Sequence, residues 1–371
     1  MMTVIEVPED LDRLDAALQA VPNNPAVFVL WAKEGAPHLS KTALLRRRLL
    51  RLLREREKPS RLLNLRHTVR RIEYQLTGSA FESSVLLYEE ARRLLPEEYR
   101  EVLRLRMPPY VRIVMANEFP RSHVTTHLTR SAGLHFGPFR SRASAERFEE
   151  QFLNLFQMRR CQEDLVPSPS HPGCIYGEMG MCLRPCQQVV GPAEYGNEVE
   201  RAAEFLRSDG RSMLDAIERS RDRLSEQMQF EEAARQHKRF EKVQDVLKLR
   251  DELARDVDRL NGVALTRSVA AEAVELWPVR EGNWLGAQRL SFEVHEGKPA
   301  PLDGALREIF TAAEPPRRSV RERQEYLALL SRWYYSSWRD GEWLAFESYP
   351  DIPYRKLVNA VSRVARRPDV A

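Results

Sequence analysis

Between Thr42 and Lys58 the apolar residues Leu45, Leu49, Leu52 and Leu53 recur at helical spacing, while Arg47, Arg51, Arg54 and Lys58 fall together on the opposite side. One face of this predicted helix packs and the other presents cations. Upstream, Val27–Leu30 reads as a strand followed by a turn at Gly35, and a second helical stretch from Phe81 to Leu95 stops at Pro96. Tyr110–Met115 and His123–Leu128 alternate as strands around the turn Glu118-Phe119-Pro120-Arg121. His135-Phe136-Gly137-Pro138-Phe139 then breaks the chain before a helix from Ala143 to Phe156. From Pro192 to about Leu260 the pattern is helical, with a hairpin bend near Gln229. Ala273–Val279 and Trp284–Val294 predict a β-hairpin, and Pro301–Arg323 a linker and helix. The closing aromatics Trp333, Tyr334, Tyr335, Trp338 and Trp343 read as a packed core.

The predicted class is α+β with several domains, at residues 1–105, 106–210, 211–256 and 257–371. Within the helical hairpin, Leu224, Met228 and Phe230 precede Glu231-Glu232-Ala233-Ala234, then Phe240, Val243 and Leu247. The small alanines permit close approach. Two antiparallel helices of this length expose an apolar edge that calls for a partner hairpin, set against ordinary packing within the chain.

The 371 residues carry a formal charge of only +4, but Lys41–Arg71 holds twelve Lys/Arg against Glu55 and Glu57, a net of +10. A stripe of this kind can track a phosphate backbone with salt-dependent affinity, or can be a plain solvated face. The N-terminus lacks a basic run followed by an apolar stretch, and no segment reaches the roughly eighteen uncharged apolar residues of a membrane span. The expected compartment is the cytoplasm, where thiols stay reduced.

All four cysteines, Cys161, Cys174, Cys182 and Cys186, fall within 26 residues, with twelve, seven and three residues between them. That clustering points to thiolates around an inorganic centre rather than to disulfides. Structural zinc sites commonly show two close pairs, and only Cys182 and Cys186 are spaced so. Four thiolates on uneven loops also suit an iron-sulfur cube, one per iron. Spacing alone leaves zinc and iron both open.

Phe119-Pro120-Arg121, Phe136-Gly137-Pro138-Phe139, Leu155-Phe156-Gln157-Met158-Arg159-Arg160-Cys161 and Cys182-Leu183-Arg184-Pro185-Cys186, followed by Tyr195 and Phe205-Leu206, resemble the UvrC family, a component of the bacterial UvrABC excision nuclease. The segment Phe230-Glu231-Glu232-Ala233-Ala234 is similar to that family's UVR motif. The likeness covers about residues 20–295 in matching order, which is more specific than any one motif. It implies DNA incision on both sides of a lesion in nucleotide excision repair and a 4Fe-4S cluster on the four cysteines. It also implies a UvrB-type partner bound through the hairpin residues Leu224, Phe230, Glu231, Ala233 and Ala234.

The resemblance further implies a GIY-YIG nuclease domain at the N-terminus, and here the signature departs. Pro25-Ala26-Val27-Phe28 stands where Pro-Gly-Val-Tyr is expected, and His38-Leu39-Ser40-Lys41 where Tyr-Val-Gly-Lys is expected. Lys41, Arg48 and Glu89 remain by alignment. A Glu there would hold Mg²⁺, an Arg would steady the scissile phosphate, and His38 could take the proton that Phe28 cannot. The family's second nuclease domain, of RNase H type, begins with strands resembling Val274–Val294; the remaining residues read as a helical tail too short to complete it. His237-Lys238 replaces an expected Arg-Asp in the UVR-like helix.

The leading expectation is a UvrC-like DNA-binding repair factor with a 4Fe-4S cluster, a UvrB-type partner and an eroded nuclease site, its DNA contacts being Arg47, Arg51, Arg54 and Lys58. One alternative is an active Mg²⁺-dependent single-cut endonuclease using Glu89, Arg48, Lys41 and His38. The other is a zinc-held protein interaction module.

Overall fold

The computed structural model describes residues 2–8, 11–54, 64–130, 133–292, 294–295, 298–299, 302–312 and 318–366. Lys58, one of the four expected DNA contacts, lies outside the described residues.

The N-terminal part runs β1 (Thr3–Glu6), α1 (Leu11–Ala20), β2 (Ala26–Ala32), β3 (His38–Thr42), α2 (Leu45–Leu53), β4 (Val69–Leu76), α3 (Ala80–Leu94) and α4 (Tyr99–Leu103). Its strands form an antiparallel sheet in the order β1-β4-β2-β3. Successive side chains of β2 point to opposite faces. Ala26, Phe28 and Leu30 bury against Leu14 and Leu18 of α1 and Leu45 and Leu49 of α2, so those helices cover one face. Helix α3 covers the other. It begins at Ser79, whose side chain accepts from the Glu82 N–H and satisfies one of the helix's orphan donors.

The middle part contains β5 (Tyr110–Ile113), β6 (Ser122–Thr125), β7 (Leu134–Gly137), α5 (Arg142–Leu153), α6 (Ile175–Glu178), α7 (Pro192–Arg207), α8 (Arg211–Glu226), α9 (Phe230–Lys248) and β8 (Arg255–Asp256). The sheet order is β6-β5-β7-β8. Phe136, Phe139, Phe148, Phe152, Phe156 and Phe205 build an aromatic spine between sheet and helices, with Phe136 stacked on Phe148 at 5.2 Å. Gly210, at φ +85°, turns α7 into α8. That left-handed backbone favours glycine, and a Cβ there would press on the movable tip of Leu247 at 2.7 Å. The hairpin bend falls at Met228 and Gln229, as the sequence pattern predicts.

The helical pattern is predicted to reach Leu260, but the structure ends it at Lys248. Arg255–Asp256 pairs instead with β7, and the Asp256 carboxylate accepts from the Asp258 N–H to close a short turn. Local bonding of that kind competes with helix. Val257 and Leu260 are apolar because they are buried, not because they lie on a helix face.

The C-terminal part holds β9 (Asn261–Arg267), β10 (Ala273–Arg280), β11 (Asn283–Trp284), β12 (Gln288–Ser291), the short ladder β13 (Val294–His295) with β14 (Lys298–Pro299), α10 (Leu302–Ala312), α11 (Val320–Tyr334), β15 (Gly341–Phe346) and α12 (Tyr354–Arg366). The sheet order is β11-β10-β9-β15, with β12 also on β10. Val263 and Leu265 face α10 and α12, while Ala264 faces α3 and α11, so β9 is buried on both sides. The segment read as a helical tail therefore also supplies a strand. β15 covers the free edge of β9, and at Gly341 the chains come so close that a Cβ would lie 2.2 Å from the Leu265 carbonyl oxygen.

Helix α3 joins the N-terminal and C-terminal packings. Phe81 stacks on Trp333 at 4.6 Å and meets Trp277 and Trp284 edge-on. Glu325 of α11 is fully buried and accepts from Tyr88 (2.7 Å), Tyr99 (2.9 Å) and Arg100 (2.6 Å). Burial opposes its charge, but those bonds outweigh burial and hold its pKa below the usual carboxylate range.

Candidate functional site: a basic groove, a thiol cluster and a helical tip

Helix α2 carries its leucines inward because they repeat at i, i+4, i+7 and i+8, which leaves the arginines on the rim. Asn23, Arg46, Arg47, Leu50, Arg51 and Arg54 line an open groove of about 410 Å³. Asn23 Oδ1 accepts from the Arg47 N–H at 3.1 Å and fixes the first turn of the helix. Arg46 Nε donates to the Val21 carbonyl at 2.7 Å. Sequence periodicity finds Arg47, Arg51 and Arg54 but misses Arg46 and Asn23. Arg46 is drawn to the groove by a contact with a residue 25 positions away, which no local pattern encodes.

The four nuclease candidates divide between the two faces of the first sheet. His38 and Lys41 are three apart on β3 and so project to opposite sides. His38 lies with Phe28, ring centroids 6.2 Å apart, on the face covered by α1 and α2. Burial lowers its pKa, keeping the imidazole neutral at pH 7. Arg48 is half-buried on α2, on the same side. Lys41 reaches the other way: its ammonium donates to Ser84 Oγ of α3 at 2.6 Å and lies 5.6 Å from the Trp338 ring centre. Desolvation, and then Arg332, lower its pKa against the pull of Asp340.

Glu89 is five residues beyond Ser84 on α3, about 140° further around the helix at about 100° per residue. Its Oε1 accepts from the Tyr326 hydroxyl at 3.0 Å, and Arg318 lies over the same tyrosine ring at 4.3 Å. Desolvation raises the Glu89 pKa, while the Tyr326 bond and Arg318 oppose the rise. Lys41 and Glu89 thus each meet the C-terminal part, on different sides of α3.

All four cysteines are free thiols. Cys174 precedes the short α6, and Cys182 and Cys186 flank the turn at Arg184, whose φ is +55°. The thiols are near enough to perturb one another. Burial pushes Cys182 up, the Arg184 N–H at 3.4 Å favours its thiolate, and Cys161, Cys174 and Cys186 then raise it further. Arg159 Nη1 approaches Cys161 Sγ at 3.6 Å. Among the described residues no three His, Cys, Asp or Glu side chains close into a group that would hold a single metal ion.

The helical hairpin is anchored at one end only. Met213 and Ile217 of α8 and Val243 and Val246 of α9 are buried in the middle core. At the bend Met228 is 78% and Phe230 64% exposed. Leu224 and Ala233 are half-buried, and Glu231 and Ala234 are exposed.

A family profile for the UvrC/Cho excinuclease middle domain matches residues 108–205, the span holding β5 to α7 and all four cysteines. The chain is a relative of UvrC. It is 25% identical to UvrABC system protein C of Lachnospira eligens over 287 residues, 76% of this chain and 47% of that protein. For the protein of the same name from Moorella thermoacetica the identity is 24% over 86% of this chain and 53% of the relative. For that of Dehalococcoides mccartyi it is 22% over 96% and 59%. This UvrC relative thus spans about half the length of the curated proteins it matches. No solved structure matches it. Among the described residues no helix is long and apolar enough to cross a membrane.

Proposed function

We propose that this UvrC relative is a DNA-binding factor of nucleotide excision repair that acts as a scaffold and not as a nuclease. Duplex DNA lies along the α2 groove on Arg46, Arg47, Arg51 and Arg54. The tip around Phe230 and Met228 takes a UvrB-type partner. The observation that carries the scaffold reading is the Tyr326 hydrogen bond to Glu89 with Arg318 alongside. Glu89 is exposed, but its Oε1 is already engaged by Tyr326, and the Arg318 guanidinium beside it repels a divalent cation. With one oxygen taken by Tyr326 and a guanidinium alongside, Glu89 does not fit such an ion.

The four thiols fit an iron-sulfur cluster by their chemistry: all are free, the other three all act on Cys182 electrostatically, and none is spent in a disulfide. A single zinc would need its sulfurs about 3.8 Å apart, from a Zn–S bond of about 2.3 Å in a tetrahedron. A cube takes one thiolate per iron and spreads them wider. Cys161, Cys174, Cys182 and Cys186 would hold it, and when bound it supplies iron–thiolate bonds that tie the 161–186 loops together. The decisive experiment is Mg²⁺-dependent incision of a lesion-bearing duplex, run beside a binding titration on the same protein. Binding without cleavage is expected; cleavage abolished by Glu89→Ala would overturn the scaffold reading in favour of the endonuclease.

A further inference from the structure

Helix α12 holds a second cationic face that the α2 groove does not account for. Tyr354–Arg366 contains no Asp or Glu. Leu357, Ala360, Val361 and Val364 are buried against the C-terminal sheet, while Arg355, Lys356, Asn359, Arg363 and Arg366 are all exposed. At about 100° per residue those five side chains fall within an arc of about 100°. They form a continuous ridge.

Beside the ridge runs an open groove of about 700 Å³, with Asp303, Arg307, Tyr354, Arg355, Lys356 and Asn359 among its lining. Among its described lining residues the one acid is already used: Asp303 Oδ2 accepts from Arg307 Nε at 2.7 Å, and the same guanidinium sits 4.2 Å from the Tyr354 ring centre. Arg363 is held by Glu342 at 2.6 Å, which fixes the far part of the ridge on β15. Arg355 and Lys356 therefore leave the groove with a net positive rim. From Arg355 to Arg366 the helix rises about 16 Å, the span of about five phosphates along one DNA strand.

We infer that α12 and its groove with α10 form a second contact for the phosphate backbone of duplex DNA, so that DNA touches the chain on both α2 and α12. The inference rests on the DNA-binding reading above. It names a separate surface, with Arg355, Lys356 and Arg366 as its principal cations. Contacts of this kind carry no base specificity and release counterions when they form.

The test is fluorescence anisotropy on a duplex of fixed length, titrated between about 50 and 200 mM salt. It compares the wild-type chain, an Arg355→Ala/Lys356→Ala/Arg366→Ala variant, the corresponding conservative Arg355→Lys/Arg366→Lys variant, and an Arg47→Ala/Arg51→Ala/Arg54→Ala variant. The α12 alanine variant is expected to flatten the log–log salt slope by about 2 to 3, at about 0.9 per lost phosphate contact, and to bind on the order of tenfold more weakly at low salt. The lysine variant should keep the wild-type slope. An α12 alanine variant with an unchanged thermal melt and an unchanged slope overturns the inference. An unchanged slope in the α2 variant alone overturns the α2 reading and leaves the α12 contact standing.

Discussion

The phenol of Tyr326 donates to the Glu89 carboxylate at 3.0 Å, across 237 residues of sequence. Tyr326 itself is buried, stacked on Trp284 and edge-on to Tyr88. The bond therefore couples the helix carrying the expected metal-binding position to the C-terminal core. Tyr326→Phe keeps the ring packing and removes only the hydroxyl, so a loss of about 1 kcal/mol is expected in urea unfolding. Incision activity should stay absent. Appearance of Mg²⁺-dependent cleavage in that variant would mean that the tyrosine masks a working site.

Glu82 predicts a pH dependence of stability. It is buried at the start of α3, accepts from the Gly78 N–H at 2.6 Å, and has Glu275 nearby. Desolvation first, and Glu275 in addition, push its pKa from 4.5 up to about 7. A raised carboxylate binds its proton more tightly in the folded state, so stability is lost as pH rises from about 4.5 to about 7. At about 1.4 kcal/mol per pKa unit the full effect is on the order of 3 kcal/mol. Glu82→Gln should remove it, being no more stable than wild type at pH 5 and distinctly more stable at pH 8. Parallel urea curves for the two proteins at both pH values would contradict the assignment.

The hairpin separates binding from folding along its own length. Phe230→Ala and Met228→Ala at the exposed tip should leave the thermal melt unchanged within about 0.5 kcal/mol while weakening capture of a UvrB-type protein at least tenfold. Val243→Ala at the buried base should cost about 1 to 3 kcal/mol through the cavity it leaves. Partner binding that is insensitive to both tip substitutions would remove the hairpin from the interface.

Anaerobically purified protein should be brown, with absorbance near ~400 nm from thiolate-to-iron charge transfer. Cys182→Ser should abolish the colour and lower the melting temperature, because Cys182 is buried and all three other thiols act on it electrostatically. Stoichiometric zinc in colourless wild-type protein would replace the iron assignment with the zinc one.

Local pattern was sufficient for α3, α5 and the hairpin, because each presents an apolar stripe bounded by Ser79, Ser141, Pro96 or the bend at Met228; α2 keeps its leucine stripe but begins only after Thr42, which pairs in β3, and ends at Leu53. Local pattern was insufficient for β1, β4 and β9. In β4, charged residues such as Arg70, Arg71 and Glu73 dilute the alternation, and its strand conformation is fixed by pairing with β1 and β2. β15 is likewise a strand because β9 offers it an edge.

Spacing along the chain was enough to dictate α3, α5 and the helical hairpin, that four thiols share one stretch, and that cations concentrate near α2. Long-range packing was needed to make α3 serve two cores, where a Cβ on Gly78 would stand 2.3 Å from the Ser268 carbonyl carbon. Packing also turned Lys41 and Glu89 toward the C-terminal part and brought Arg46 and Asn23 into the α2 groove. Those outcomes depend on which distant surfaces meet, and a contact between residues hundreds of positions apart leaves no period in the chain to read.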